Sequence, residues 1–174
     1  MADVTKIRFE TVQLLVGCCF ILWLFTPLFS IWYKGYPYRS FSKPSLLRLH
    51  ALREKCLKVA DLLTDPMKRK RLRSRLRFCV FTEQSEQTVN SVARTINKGK
   101  EIIICLRHPR EDDKTTLYIL LHEMAHVLSH SRGHNQEFNE NMNLLVHTAD
   151  RHSILKQIPR RVVFCGHVVD VERH

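Results

Sequence analysis

The sequence predicts a small α+β domain preceded by one transmembrane helix. An uncharged, largely apolar run covers residues 11–33, apolar residues recur at helical spacing in later segments, and short strand-like runs lie between those segments. The chain has 174 residues, of which 44% are apolar and 26% charged, a composition typical of globular proteins. This length favours one hydrophobic core over two large domains.

The first predicted element is a transmembrane anchor at residues 11–33, after a tail at 1–10. The run carries no charge over 23 residues, and a helix of about 20 apolar residues crosses a bilayer. It is longer than the apolar region of a signal peptide, about 7 to 15 residues, and Trp32 and Tyr33 fit an interfacial aromatic belt. More basic residues follow the run than precede it, which predicts that the C-terminal part lies in the cytosol.

Residues 34–77 are expected to form a linker, an amphipathic helix and a basic segment. Leucines recur at near-helical intervals from Ser45 to Leu63, which predicts the helix. The segment Lys68–Arg77 then holds seven basic residues, and the net charge of the whole chain is +11. Such charge favours polyanionic partners. Because no aromatic residues interleave the segment, anionic lipid or simple solvation is favoured over nucleic acid.

Residues 78–174 are expected to form the functional domain, which combines strands and helices. The segments 92–96 and 102–106 flank a turn that contains Gly99, so they predict a β-hairpin. Its second strand, EIIICLR, is apolar on both faces and should be central in its sheet or well covered. The other predicted elements are a strand at 78–81, helices at about 113–130 and 135–156, and a final strand pair broken at Gly166.

The six cysteines indicate neither a disulfide framework nor a cysteine zinc site. Two of them lie within the apolar run, and the other four have no CxxC spacing. We expect Cys79, Cys105 and Cys165 to be small buried strand residues in a reducing compartment.

The motif HEMAH, at residues 122–126, carries the chemistry. Residues four apart share a helix face, so His122 and His126 would present two imidazoles to one metal ion, and Glu123 borders the same site. A catalytic zinc usually takes three protein ligands and activates a water molecule in the fourth position. Glu123 is then the predicted general base. Histidine ligands favour zinc over other divalent ions, and we expect one zinc ion per chain.

The third ligand must come from outside the motif, and His130, His134, Glu137 and His147 are the candidates. His130 lies one further turn along the same helix, too far to reach a metal ion held by the first two histidines. His134 follows Gly133, which allows the chain to reverse towards the site. We therefore predict His134 as the third ligand. Glu137 is expected to be a first-turn residue of the next helix, favoured by the helix dipole, or a partner that orients His134, and it is the reserve ligand.

The spacing of these residues resembles a known group of peptidases. The metzincin pattern is excluded, because it requires glycine at Ser129 and histidine at Arg132. HEMAH followed by GHNQEF resembles the SprT/Spartan and WLM metallopeptidases instead. A closer likeness runs from Thr95 to Gly166, through TINKGKEIIICLR, LYILLHEMAH, GHNQEF and FCG, and is shared with small WLM-like metallopeptidases of large nucleocytoplasmic DNA viruses.

The resemblance implies a minimal zincin-like fold, in which a small sheet packs on the HExxH helix. It also implies metal ligands at His122, His126 and His134, with Glu123 as the catalytic residue. The expected function is that of a membrane-anchored zinc endopeptidase that acts on proteins or peptides, at a host or virion membrane if the chain is viral.

Two other functions stay open at this point. In the first alternative, the chain is a non-catalytic membrane protein whose fold is stabilised by zinc. An intact Glu123 argues against this alternative. In the second, Lys68–Arg77 would tether nucleic acid to a membrane.

Overall fold

The computed structural model describes residues 38–40, 42–84, 91–106, 113–156 and 160–170. They form an α+β domain with four helices and two small sheets. The helices are α1 (Lys43–Asp61), α2 (Pro66–Phe78), α3 (Asp113–Leu128) and α4 (Gln136–Arg151). The strands are β1 (Tyr38–Arg39), β2 (Val80–Glu83), β3 (Ala93–Ile96), β4 (Glu101–Ile104), β5 (Arg161–Phe164) and β6 (His167–Asp170).

The predicted anchor at 11–33 lies outside the described residues. Among the helices that the structure describes, none is both long and apolar enough to span a membrane.

The larger sheet has the strand order β1-β2-β4-β3. β4 pairs parallel with β2 and antiparallel with β3, so the predicted central position of EIIICLR is confirmed. Side chains alternate along a strand, and Ile102 and Ile104 point into the core while Phe81 of β2 lies beside them. β3 therefore stands at one edge of this sheet, next to α3.

Helices α1 and α2 begin at residues that suit a helix N-terminus. Ser42 accepts a hydrogen bond from the Ser45 amide at 3.3 Å, and Asp65 accepts one from the Met67 amide at 2.8 Å. Such caps satisfy amide groups that have no partner within the helix. Both helices bury leucines in the same core as the sheet and α3, and the predicted basic segment forms most of α2.

The β3–β4 turn packs directly on α3. Asn97, Lys98 and Gly99 all have positive φ, and that of Gly99 is +95°. A Cβ atom at Gly99 would lie 2.8 Å from Cγ1 of Val127. Glycine therefore lets the turn approach the helix more closely than any other residue would allow.

The expectation that Cys105 and Cys165 are free thiols is wrong, because the two residues form a disulfide bond. Cys105 follows β4, and Cys165 lies in the turn between β5 and β6, 60 residues later. Only the folded chain brings them together, with Cα atoms 6.4 Å apart, so sequence spacing gave no sign of the pairing. Cys56 and Cys79 are free and buried, as expected for Cys79.

The predicted helices and strands match the observed ones to within a few residues. The final strand pair forms the antiparallel hairpin β5–β6, which turns at Cys165 and Gly166. The helix predicted to run to about residue 156 ends at Arg151, and His152 donates its backbone N–H to the carbonyl of Thr148 at 3.3 Å.

Gly99→Ala should destabilise the domain by about 1–3 kcal/mol, because the added methyl group overlaps Val127 and the backbone has positive φ. Gly133→Ala is the matched control, since its φ is +85° but no atom lies within 4 Å of the added carbon. Urea unfolding of the two variants would measure the difference. Equal losses of unfolding free energy would contradict the close packing of the turn on α3.

Reduction of the Cys105–Cys165 disulfide should lower the free energy of unfolding by about 4 kcal/mol, on the chain-entropy estimate for a loop of this length. Thermal unfolding with and without a dithiol reductant would measure the change. A Cys105→Ser/Cys165→Ser double variant is the control, because its midpoint should not respond to the reductant. An equal response of both proteins would show that the bond is absent in solution.

Candidate metal and catalytic site

Three histidines meet at one point beside helix α3. His122 and His126 lie one turn apart on that helix and are half-buried, while His134 comes from the exposed loop before α4. Each offers a ring nitrogen, and these nitrogens all lie within 4.8 Å of one another. Nε2 of His134 lies 3.0 Å from Nε2 of His122. The structure thus brings together the three predicted metal ligands.

A metal ion fits this cluster. Ligand nitrogens about 2.1 Å from one zinc ion in tetrahedral geometry lie about 3.4 Å apart, and the observed separations bracket that value. Three histidines leave a fourth position open for water or substrate, as in catalytic rather than structural zinc sites. Among the described residues, no other group of three candidate ligands lies so close together.

Phe138 of α4 closes the inner side of the cluster. Its ring centroid lies 4.8 Å from that of His122, 4.4 Å from that of His126 and 4.6 Å from that of His134. Phe138 is itself buried, so it gives the imidazoles an apolar backing. This contact restricts the orientations of all three rings.

The pKa values of two of the histidines are lowered. Burial, followed by the neighbouring imidazoles, lowers the pKa of His122 to about 4. Burial, with smaller contributions from His134 and Lys98, lowers the pKa of His126 to about 4. Both rings are therefore neutral at pH 7, which is the state that binds a metal ion.

Glu123 is buried next to the histidines, with 5% of its surface exposed. Burial raises the pKa of Glu123 to about 7, although hydrogen bonds from Thr95 oppose the shift. Thr95 of the edge strand β3 donates from Oγ1 to Oε2 of Glu123 at 2.7 Å. The carboxyl group is thus fixed in orientation and has a proton affinity suited to transfer near neutral pH.

The loop that carries His134 is held by contacts from three other elements. Lys98 of the β3–β4 turn donates to the carbonyls of Ser129 and Ser131. Asn141 of α4 donates to Ser129 Oγ at 3.0 Å and accepts from Lys68 Nζ of α2 at 2.9 Å. A chain of polar contacts therefore connects the basic helix to the loop.

Glu137 stabilises this loop, and no bond from it to His134 is observed. Its carboxylate accepts from the backbone amides of His130 and Ser131 at 2.8 and 3.3 Å, and from the Ser131 hydroxyl at 3.0 Å. These hydrogen bonds, those from His130 first, lower the pKa of Glu137 to about 2. Glu137 lies in the first turn of α4, as predicted, and it does not belong to the three-histidine cluster.

The other candidate ligands also lie outside the cluster. Nδ1 of His130 lies 2.8 Å from Oε1 of Glu137, and Nε2 of His130 lies 2.6 Å from Nη1 of Arg71. Nε2 of His147 lies 2.9 Å from Nη2 of Arg151, which is one turn further along α4.

Sequence reasoning missed Thr95, which bonds to Glu123, Lys98, which holds the loop, and Phe138, which packs against the three histidines. The first two lie in the predicted hairpin and the third in GHNQEF, but nothing in the motif pattern assigns such roles. Their roles depend on how β3 and α4 pack against α3.

Comparison with known proteins gave no match: no protein-family model, no curated protein and no solved structure is significantly similar to the chain.

Glu137→Ala should weaken zinc binding about tenfold, because the loop that carries His134 loses its anchor. Glu140→Ala is the matched control. The Glu140 carboxylate accepts a hydrogen bond from the side chain of Gln136, one turn earlier on α4, and does not bond to the loop. Competition with a fluorescent zinc chelator would measure both affinities. Identical affinities for the two variants would show that the loop does not depend on Glu137.

Proposed function

We propose that the chain is a zinc-dependent metallopeptidase of zincin-like fold, related to the WLM and SprT group. The observation that supports this most strongly is the open three-histidine cluster with a buried carboxyl group beside it. A purely structural zinc site usually has four protein ligands and needs no acid or base. The likeness of HEMAH and GHNQEF to that group supports the same conclusion.

His122, His126 and His134 would hold the ion. When bound, zinc would supply Lewis-acid activation of a water molecule and polarise the scissile carbonyl group. Glu123 would take the proton from the attacking water and deliver it to the departing amine. The bond from Thr95 would keep the Glu123 carboxyl group facing the cluster.

A peptide substrate has a natural place next to these residues. β3 lies at the edge of its sheet and borders the histidines, so an extended peptide would pair with its open side. Main-chain hydrogen bonds from the strand would then hold the scissile bond near Glu123.

The proposal includes a membrane anchor at 11–33, which rests on sequence alone. Flanking charges favour a cytosolic domain. The Cys105–Cys165 disulfide favours an oxidising compartment instead.

The exposed face of α2 supports a second, non-catalytic role in binding an anionic membrane surface. Met67 and Phe78, at its two ends, are 75% and 77% exposed. Exposed basic side chains lie between them, and Arg77 stacks on the Phe78 ring with Cζ 5.7 Å from its centroid. Exposed apolar residues among cations suit a lipid surface better than nucleic acid.

In the full-length protein, His134→Ala should remove the bound zinc, whereas Glu123→Gln should keep about one zinc ion per chain and reduce peptide cleavage by about 10²–10⁴-fold. Metal content by mass spectrometry and cleavage of a protein substrate would test both variants. Chelation should abolish cleavage in the unmodified chain, and added zinc should restore it.

His147→Ala is the matched control, because His147 lies on α4 outside the cluster and should leave both zinc content and cleavage unchanged. Cleavage by the Glu123→Gln variant at the original rate would overturn the role of Glu123. A chain that binds no zinc would overturn the proposed function as a whole.

A further inference from the structure

Two cavities meet at the histidine cluster, and they differ in chemistry. Both are lined by Ala93, His122, Glu123 and His134, so the cluster lies where they join. The first has a volume of about 460 Å³ and the second about 470 Å³. Each can accept a large side chain.

The first cavity is mainly apolar. It is lined by Val92, Ile119, Phe138, Met142, Val168 and Val169. Asp170 is its one charged lining residue besides Glu123 and the histidines. An apolar side chain would be favoured there, and an acidic one would be repelled by Asp170, which lines this cavity and not the other.

The second cavity is basic. Arg94, Lys98 and Arg132 line it, and Glu123 is its only acidic residue. Arg94 and Arg132 are exposed and belong to its lining, so this cavity has a positive potential. An acidic side chain would be favoured at this end.

The edge strand β3 runs along both cavities. Val92 and Ala93 border the apolar cavity, while Arg94, Thr95 and Asn97 border the basic one. An extended peptide advances about 3.3 Å per residue. A peptide paired with β3 would therefore pass from one cavity to the other, with its scissile bond at the cluster.

We infer that the cleft selects peptides with a large apolar residue on one side of the scissile bond and an acidic residue on the other, each within about two residues of the bond. This inference rests on the proposed function and specifies its substrate class.

The hairpin β5–β6 supplies one wall of the apolar cavity through Val168 and Val169. The disulfide fixes the turn of that hairpin to the end of β4. The selectivity for apolar residues therefore depends on an element far from the motif in sequence.

The test uses the full-length protein and four fluorogenic octapeptides. The first peptide carries Leu before and Glu after the central bond, and the second carries the reverse order. The other two are made from whichever of these is cleaved faster, with either its Leu or its Glu replaced by Ala. One Leu/Glu order should be cleaved at least tenfold faster than the other, and each Ala replacement should slow that faster peptide. Equal rates for all four peptides, with cleavage abolished by Glu123→Gln, would overturn the inference but not the proposed function.

Two pairs of variants assign the selectivity to the two cavities. Val168→Lys should slow cleavage of the preferred peptide about tenfold, whereas Leu47→Lys, at a 64% exposed position on α1 outside the lining, should not. At the basic cavity, Arg94→Glu should also slow cleavage of the preferred peptide about tenfold. Lys100→Glu is its control, because Lys100 is exposed and does not line that cavity. Equal effects within either pair would overturn the assignment of that cavity.

Peptide binding to the Glu123→Gln variant, followed by fluorescence anisotropy, gives a readout that does not depend on turnover. Tighter binding of one Leu/Glu order would support the selectivity of the cleft, and absence of cleavage by the unmodified protein would then count against the proposed function alone. Equal binding of all four peptides would overturn it.

Discussion

The structure depends on the burial of helix α3. Twelve of its 16 residues are buried, so this helix is apolar on nearly every side and must be covered by other elements. β3 covers one side, α1 and α2 another and α4 a third. Because α3 also carries His122, Glu123 and His126, the packing that stabilises the fold also fixes two histidines of the candidate metal site and the carboxyl group beside them. α1 and α2 belong to this arrangement, since without them α3 would expose apolar surface.

A buried helix that carries chemistry must satisfy its polar groups. Thr95 bonds to the Glu123 carboxyl group, and Ser129, just after the end of α3, bonds to the carbonyl of Ala125 and to Asn141. Unsatisfied, such groups would each cost about 1–3 kcal/mol. Lys68 extends the second network to α2, which gives one cation of the basic segment a structural role. Sequence composition describes the seven basic residues as one patch, whereas the structure divides them between internal contacts and the solvent.

The parts predicted well from the sequence are those that local patterns determine. The long, nearly continuous apolar run before and through HEMAH and the turn around Gly99 predict a helix and a hairpin with little information from the rest of the chain. His134 joined the cluster because a glycine and a fixed spacing restrict where the loop can go. The disulfide and the hydrogen bond from Thr95 to Glu123 join residues that are far apart in sequence, so only tertiary packing brings them together and no local pattern predicts them.

The three ligands differ in how firmly the fold holds them. His122 and His126 lie on a helix that cannot move without disrupting the core, whereas His134 is exposed on a loop held by surface hydrogen bonds. Local opening of such a loop costs much less than global unfolding. A metal ion would therefore meet two ligands already in place, and part of its binding free energy would go into fixing the third. Loop order and metal affinity are consequently linked, which explains why so many polar contacts converge on residues 129–135, a loop that carries only one of the three histidines.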